Sequence, residues 1–371
     1  MATQEAAIDS RRDVVASTEK FETIVIGGGQ AGLSVGYYLK KHGGSFVILD
    51  ANEQIGGAWR TRTWSSLRLF TPARYDGLPG WPFPAPGWSY PTARETADYL
   101  EAYAARFDLP VRTGMAVSRL GKDGDRYVVE CGQRRLEAER VVVATGFYGK
   151  PSVPDFAAEL DPRIVQMHSS DYRDPSQLRP GGVLLVGAGN SGADIGIEVS
   201  ATHRTWLSGR DKGQIPFRIE HPLRRLVVPV LWFVASHVLT MKTPIGRKIR
   251  PRVLEGGAPL IRVKSQDLLA AGVARVAKTT GTQDGLPVLE DGQVMDVANV
   301  ILCTGFRQDF SWIEVPVFGE DDTGPMHERG VASEPGLYFV GLDFLYSFTS
   351  ENVGGVGTDA RHIAKHIASG G

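Results

Sequence analysis

Cysteine is scarce in this chain, and its scarcity excludes several kinds of protein. The 371 residues include only Cys131 and Cys303, which are far apart and have no Cys-x-x-Cys spacing. We therefore expect no disulfide framework, no metal site and no redox-active cysteine pair. Residues 1–20 are polar and mixed in charge, without the apolar stretch of a signal peptide, so we interpret them as a disordered tail and expect a cytoplasmic protein.

An excess of charge and a long apolar run are also missing. Lysine plus arginine total 41 and aspartate plus glutamate total 42, so small molecules are expected as partners rather than nucleic acid. The longest apolar run, Leu226–Met241, is shorter than the roughly 20 residues that cross a bilayer, so no transmembrane segment is predicted. We expect a buried or pocket-lining helix there. Flanking Arg224, Arg225 and Lys242 leave an interfacial helix as the alternative.

Two stretches have the pattern of a β-α-β unit. Each has a strand, a helix and a strand in that order: residues 22–27, 30–41 and 46–49 in the first, and residues 183–186, 190–199 and 205–207 in the second. The predicted fold class is therefore α/β, with two doubly wound Rossmann-like dinucleotide-binding domains.

Two later strands end alike, in Ala144-Thr145-Gly146 and Cys303-Thr304-Gly305. If each is an exit from the first unit, then one domain is inserted in the other. The sequence thus predicts a discontinuous domain of residues 21–150 and 298–371, interrupted by a second domain of residues 151–297. A capping box at Thr92 and Glu95 predicts a helix in the first domain, and residues 111–136 predict an antiparallel meander.

The first unit carries a Gly27-x-Gly29-x-x-Gly32 turn between its strand and its helix. The glycines allow a tight turn, close approach to a pyrophosphate and helix–strand packing, while the helix N-terminus offers free N–H groups. Asp50 ends the next strand, where a carboxylate accepts from ribose hydroxyls. The predicted binding residues here are Gly27, Gly29, Gln30, Ala31, Gly32 and Asp50.

The second unit repeats this turn as Gly187-x-Gly189-x-x-Gly192, but no acid ends its next strand. Ser208 and Arg210 stand there instead and suit the 2′-phosphate of NADPH better than the ribose of NADH. The alternative is that Arg210 is a solvated loop residue. The predicted binding residues here are Gly187, Gly189, Asn190, Ser191, Gly192, Ser208 and Arg210.

Two nucleotide sites in one chain suggest that a hydride passes from a nicotinamide to an acceptor held against it, most simply the flavin of FAD. The first turn is then the FAD site. Thr145 and Gly305 at the strand exits, and Gly355 before the helix predicted over Thr358–Ile367, are further candidate cofactor contacts. A flexible turn is the alternative for Gly355.

Several segments together resemble class B flavin-dependent monooxygenases, especially the short bacterial flavin-containing monooxygenases and the plant YUCCA-type enzymes. They are Gly56-Gly57-Ala58-Trp59, residues 67–103, His168-Ser169-Ser170-Asp171-Tyr172 and the two strand–Thr–Gly exits. The likeness implies FAD and NADPH as cofactors, with Gly57 and Trp59 near the flavin. It implies that O2 adds at the flavin C4a position and that the hydroperoxide oxygenates a small organic substrate, with a sulfide or ketone favoured.

Two departures from that family limit the likeness. Pro162 and Ile164 replace the family's phenylalanine and glycine before His168, which we interpret as a structural histidine. Residues 69–72 lack an asparagine that supports amine oxygenation. There are two alternative functions: YUCCA-like decarboxylation of a 2-oxo acid, and an NADPH-dependent flavin reductase or oxidase. No catalytic side chain is assigned, and a homodimer is left open. Residues 223–263 and 344–352 are expected to form the substrate pocket.

Overall fold

The computed structural model describes residues 18–146, 148–256, 259–319 and 324–370. Most of the predicted tail, residues 1–17, lies outside the described residues. The first strand begins at Glu19, two residues before the predicted start of the first domain. Within the described ranges, no helix has both the length and the apolar character needed to cross a membrane.

The helices and strands follow the predicted order closely. The strands are β1 (Glu19–Ile26), β2 (Phe46–Leu49), β3 (Val111–Arg112), β4 (Arg119–Asp123), β5 (Arg126–Cys131), β6 (Arg134–Val143), β7 (Lys150–Pro151), β8 (Val165–His168), β9 (Val183–Val186), β10 (Thr205–Ser208), β11 (Ala274–Val276), β12 (Thr279–Gln283), β13 (Leu286–Leu289), β14 (Asn299–Leu302), β15 (Phe306–Arg307), β16 (His327–Glu328), β17 (Val331–Ala332) and β18 (Leu337–Phe339). The helices are α1 (Gln30–Lys41), α2 (Gly57–Thr61), α3 (Ala93–Arg106), α4 (Asn190–Ser200), α5 (Arg224–Phe233), α6 (Pro244–Gly256), α7 (Ser265–Ala270) and α8 (Gly357–Ala368).

The first sheet is organised around β1. Its strand order is β16-β17-β18-β6-β1-β2-β3, and the run from β18 to β3 is parallel. The predicted meander is present as antiparallel β4, β5 and β6. Helices α1, α3 and α8 cover one face with a core of buried apolar side chains. The Thr92–Glu95 capping box is formed and begins α3 as predicted.

The second sheet is parallel throughout, with the order β11-β10-β9-β14-β8. Both of its faces carry apolar clusters, as a doubly wound sheet requires. The predicted fold class, two Rossmann-like units, is confirmed.

The sequence predicts that the chain returns to the first domain at residue 298. The pairing of β14 contradicts this boundary. This strand lies between β9 and β8 in the second sheet rather than in the first. Val300 and Ile301 are fully buried on opposite faces there. The chain therefore leaves the second unit only after Leu302.

The two crossings between the units run side by side. Strand β7 on the way into the second unit pairs antiparallel with β15 on the way out. Lys150 and Asp309 add an ion pair at 2.6 Å. The two connections between the sheets therefore support each other.

The apolar run at 226–241 does not form the buried helix that its composition predicts. It divides into α5 and a single π-helical turn, Val234–Val238, and none of its residues within α5 is buried. Pro229 lies inside α5 and removes one backbone donor.

Candidate dinucleotide sites and active site

In the first glycine turn, two glycines are packed against protein atoms and the middle one faces open space. Gly27 has φ +112°, and a Cβ there would lie 2.4 Å from the Ala144 carbonyl oxygen. A Cβ at Gly32 would lie 1.8 Å from the Gly27 carbonyl oxygen. At Gly29, by contrast, a Cβ would meet no protein atom within 4 Å. The outer glycines serve the fold, whereas the middle one leaves room for an external group.

Helix α1 presents its N-terminus to that open space. Gly29 is its N-cap and supplies no side-chain cap, and the first turn contains no acidic residue. The first N–H groups of a helix lack partners within the helix and attract anions. The site therefore fits a pyrophosphate.

Asp50 is held at the edge of this turn. Its Oδ2 accepts from the Gly28 backbone N–H at 2.6 Å, and its Oδ1 accepts from the backbone and side-chain nitrogens of Asn52 at 2.8 and 2.7 Å. Gly57, at the start of α2, packs against Asn52 so closely that a Cβ would lie 2.5 Å from the Asn52 Cβ. Asp50 is thus rigidly positioned, and Gly57 supports it indirectly.

The second glycine turn repeats the first almost atom for atom. Gly187 has φ +113°, and its Cβ would lie 2.2 Å from the Cys303 carbonyl oxygen. Gly192 is equally confined against Gly187, whereas Gly189 again faces no atom within 4 Å and begins α4 without a side-chain cap. Ser191 lies half-buried in the first turn of that helix. This site fits a second dinucleotide.

Asn190 has a different role from the open glycine beside it. Its Nδ2 donates to the Pro259 carbonyl at 3.0 Å, and its Oδ1 accepts from the Ile261 N–H at 2.9 Å. One turn later, Asp194 forms an ion pair with Arg262 at 2.8 Å. Asn190 therefore fixes the 259–262 segment over the start of α4.

Ser208 and Arg210 differ in orientation. Ser208 is fully buried, and its hydroxyl donates to the Ala277 carbonyl at 2.8 Å while accepting from the Thr279 N–H at 2.8 Å. This hydroxyl is directed into the protein, contrary to the predicted role in holding a phosphate. Arg210, just beyond the end of β10, is exposed.

Arg275 is a cation that the sequence did not single out. It lies on β11, the neighbour of β10, and its guanidinium donates to the Gly209 carbonyl at 3.1 Å, one residue from Arg210. Only the pairing of two strands far apart in sequence places it there, so no local signal identifies it.

His168 contacts one of the two strand exits. Its Nδ1 accepts from the Ser170 N–H at 3.1 Å, so Nε2 carries the proton and donates to the Gly305 carbonyl at 3.0 Å. Burial lowers the pKa of this imidazole. His168 is therefore a neutral residue that ties the end of β8 to the exit of β14. Thr145, at the other exit, is exposed.

Gly355 and its neighbour serve packing before α8. A Cβ at Gly354 would lie 1.7 Å from the Tyr75 carbonyl oxygen, and one at Gly355 would lie 1.8 Å from the Thr349 carbonyl oxygen. Asp359, in the first turn of α8, is fully buried, which raises its pKa to about 6. The segment before α8 is therefore tightly constrained and is not a flexible turn.

The loop after β18 contains site residues that sequence reasoning missed. A Cβ at Gly341 would lie 2.8 Å from the Cβ of Ala31, and the Glu351 carbonyl accepts from Gln30 Nε2 at 3.4 Å. Burial, together with the negative charge of Asp343, raises the pKa of Glu351 to about 7. Gly341 lies two residues after the end of β18, and a glycine at a strand end is a local signal for this loop.

The two segments expected to form the substrate pocket are joined through their backbones. Trp232 of α5 stacks on Tyr75 with ring centroids 5.0 Å apart. Thr240 and Ser347 form a β-bridge, and the Met241 N–H donates to the Tyr346 carbonyl at 2.8 Å. Trp59 is half-buried against the core of the first unit. The 223–263 and 344–352 segments therefore contact each other.

Comparison with known proteins identifies the family. Residues 24–216 match the model of the pyridine nucleotide-disulphide oxidoreductases. A flavin-containing monooxygenase from Stenotrophomonas maltophilia has a similar structure, with a TM-score of 0.74 and 30% identity over 95% of this chain and 99% of that one. This chain belongs to the flavin-containing monooxygenase family. The expected likeness is thereby confirmed, and the protein is an oxidoreductase.

Two further relatives extend this likeness over the chain. An uncharacterized CzcO-like oxidoreductase from Geobacillus kaustophilus is 37% identical over 93% of this chain and 98% of its own length. A probable indole-3-pyruvate monooxygenase, YUCCA3 of Arabidopsis thaliana, is 29% identical over 93% of this chain and 86% of its own length.

The cysteines of this family member are not arranged for disulfide chemistry. Cys131 lies on β5 of the first sheet and Cys303 follows β14 of the second, and both thiols are free and buried. Burial raises the pKa of Cys131 and raises that of Cys303 to about 12. Because the thiolate is the reactive form, neither thiol suits electron relay at neutral pH.

Proposed function

We propose that this protein is an FAD-containing, NADPH-dependent monooxygenase that inserts one oxygen atom from O2 into a small organic substrate, most favourably a sulfide or a ketone. The observation that carries the proposal is the pair of glycine turns. In each, the middle glycine is open while the outer two are filled by the protein itself. Two such cradles in one chain accommodate two dinucleotides.

The first cradle is the proposed FAD site. Gly27, Gly29, Gly32 and Asp50 would hold the ADP half of FAD, with Gln30 and Ala31 at the first turn of α1. Bound FAD supplies the capacity to take a hydride and to activate O2. The chain supplies the groups that position the cofactor.

The second cradle is the proposed NADPH site. Gly187, Gly189, Ser191 and Gly192 would hold the pyrophosphate at the start of α4. Arg210 would bind the 2′-phosphate, with Arg275 beside it through Gly209. Ser208 acts by fixing the end of β10 to the 277–279 segment rather than by contacting the phosphate.

Glu351 is a candidate proton-exchanging residue beside the first cradle. Its backbone carbonyl accepts from Gln30 at the first turn of α1, and burial with the charge of Asp343 raises the pKa of its carboxyl to about 7. A carboxyl with that pKa both donates and accepts protons near neutral pH.

Rapid-mixing absorbance tests the proposed reaction. The holoenzyme is reduced with NADPH without oxygen and is then mixed with oxygenated buffer. A transient oxygenated-flavin spectrum before the return of oxidised FAD supports the monooxygenase. Direct reoxidation in a single phase would refute it in favour of a reductase or oxidase. A substrate panel of sulfides, ketones and 2-oxo acids, scored by product, then distinguishes the proposed substrates from a YUCCA-like decarboxylation.

A further inference from the structure

The outer face of α5 reverses the normal pattern of a surface helix. Leu223, at its N-cap, and Leu226, Val230 and Phe233 are 58, 71, 61 and 57% exposed. Their spacing of three, four and three residues places all four on one side of the helix. Trp232 falls on the opposite side and stacks on Tyr75. The apolar stripe therefore faces solvent while the helix is fixed to the protein by its other face.

The segment that carries this stripe is strongly cationic, although exposed Glu220 lies just before it. Residues 223–254 contain seven lysines and arginines and no aspartate or glutamate, in a chain whose net charge is −1. Arg225 flanks the stripe, and Arg247, Lys248 and Arg252 are exposed on α6. Ile245 and Leu254 of α6 are exposed apolar residues as well. Exposed apolar side chains among exposed cations thus continue across both helices.

We propose that α5 and α6 dock the enzyme on the surface of an anionic lipid bilayer. A helix of ten residues is only about 15 Å long, which suits insertion of one face at the interface rather than a span. The stripe of α5 enters the boundary between head groups and acyl chains, while the cations of α5 and α6 attract anionic head groups.

Two other occupants fit this surface less well. A symmetric dimer through the same patch would place seven cations of one protomer close to the same seven of its partner, with no carboxylate of the segment between them. Nucleic acid would satisfy the cations but would leave the apolar stripe in water. Of these three occupants, the bilayer surface is the one that offers negative charge and an apolar layer together.

Vesicle sedimentation of the holoenzyme tests the proposal. Vesicles of phosphatidylcholine alone are compared with vesicles that also contain phosphatidylglycerol. We expect binding to the anionic vesicles that weakens with added salt, and little binding to the neutral ones. Absence of binding to the anionic vesicles would overturn the proposal.

Two triple variants separate the apolar and the cationic contributions. One is Leu226→Gln with Val230→Gln and Phe233→Gln, and the other is Arg247→Gln with Lys248→Gln and Arg252→Gln. Each is expected to lower the partition coefficient by about tenfold or more. The matched controls, Leu269→Gln at an exposed apolar residue of α7 and Arg134→Gln at an exposed cation of β6, should bind as the parent protein does.

The outcomes of these variants are decisive in either direction. If the apolar triple variant binds as the parent does, then adsorption is purely electrostatic and insertion of α5 is refuted. Analytical ultracentrifugation provides the second measurement. If the parent self-associates and the apolar triple variant does not, then the stripe is a protein interface and the bilayer proposal fails. Bound flavin and circular dichroism verify that each variant is folded.

Discussion

Replacing Gly29 with alanine should separate the cofactor cradle from the fold. The backbone at Gly29 is extended, with φ −80° and ψ −169°, and a Cβ there meets no protein atom within 4 Å. Alanine at an N-cap costs about 0.5–1 kcal/mol, and the lower entropy of its unfolded chain offsets about 0.4–1 kcal/mol. The free energy of unfolding of the apoprotein should therefore stay within about 0.5 kcal/mol of the parent.

The same methyl group should weaken FAD binding strongly. It occupies the open side, where a pyrophosphate would approach the N–H groups of α1. Loss of one hydrogen bond to a charged group costs about 1.5–3 kcal/mol, which corresponds to a dissociation constant about 10- to 100-fold higher. Titration of the apoprotein with FAD, followed by flavin fluorescence, gives this constant, and thermal unfolding gives the stability.

Two further alanine variants complete the comparison. At Gly32 the new Cβ would lie 1.8 Å from the Gly27 carbonyl oxygen, so the apoprotein itself should lose about 1–3 kcal/mol or more. At Gly44, outside the site, the nearest contact of a new Cβ would be an ordinary 3.8 Å to the Leu39 carbonyl oxygen, so neither property should change. An unchanged FAD affinity in Gly29→Ala, or a loss of stability as large as that of Gly32→Ala, would refute the reasoning.

The remaining predictions concern cofactor choice and pH. Arg210→Ala should raise the KM for NADPH about tenfold or more and leave the KM for NADH unchanged. Equal effects on the two KM values would contradict the assignment of Arg210. Ser208→Ala should leave both KM values unchanged and lower the free energy of unfolding by about 1–3 kcal/mol. Burial raises the pKa of fully buried Asp76 from 3.8 to about 7, so its folded form holds a proton that the unfolded form has lost. The contribution of Asp76 to the free energy of unfolding is full below pH 3.8, falls by about 4 kcal/mol as the pH rises to about 7, and then levels off. Because an asparagine side chain carries no charge at any pH, Asp76→Asn should raise Tm more at pH 8 than at pH 4 in calorimetry. A constant difference in Tm would argue against this titration.

Local signals predicted the elements that their own residues determine. Helix α1 and strands β2 and β9 have the predicted bounds, because a run of four apolar residues or a glycine turn marks each end within the sequence. The capping box that begins α3 is likewise formed by residues three positions apart. Such features depend on neighbours along the chain and are visible in the sequence alone.

Features that depend on distant partners could not be predicted in the same way. Strand β14 was assigned to the first domain because its ending resembles that of β6, but its partners β9 and β8 lie more than a hundred residues earlier. The direction of the Ser208 hydroxyl depends on Ala277 and Thr279. The exposure of α5 likewise follows from how Trp232 docks on Tyr75, which composition does not specify.

The resemblance between β14 and β6 nevertheless has a physical meaning. Each of these strands is the parallel neighbour of a strand that enters a glycine turn. The carbonyl group just after each strand lies against the first glycine of that turn: Ala144 against Gly27, and Cys303 against Gly187. The two turns therefore have the same backbone conformation and packing, and the pattern of glycines cannot distinguish their cofactors. The difference lies at the end of the next strand, where Asp50 is held by the Gly28 N–H in one unit and Arg210 is exposed in the other. Replacing exposed Arg210 with glutamate should therefore shift the ratio of kcat/KM from NADPH toward NADH without disturbing either turn.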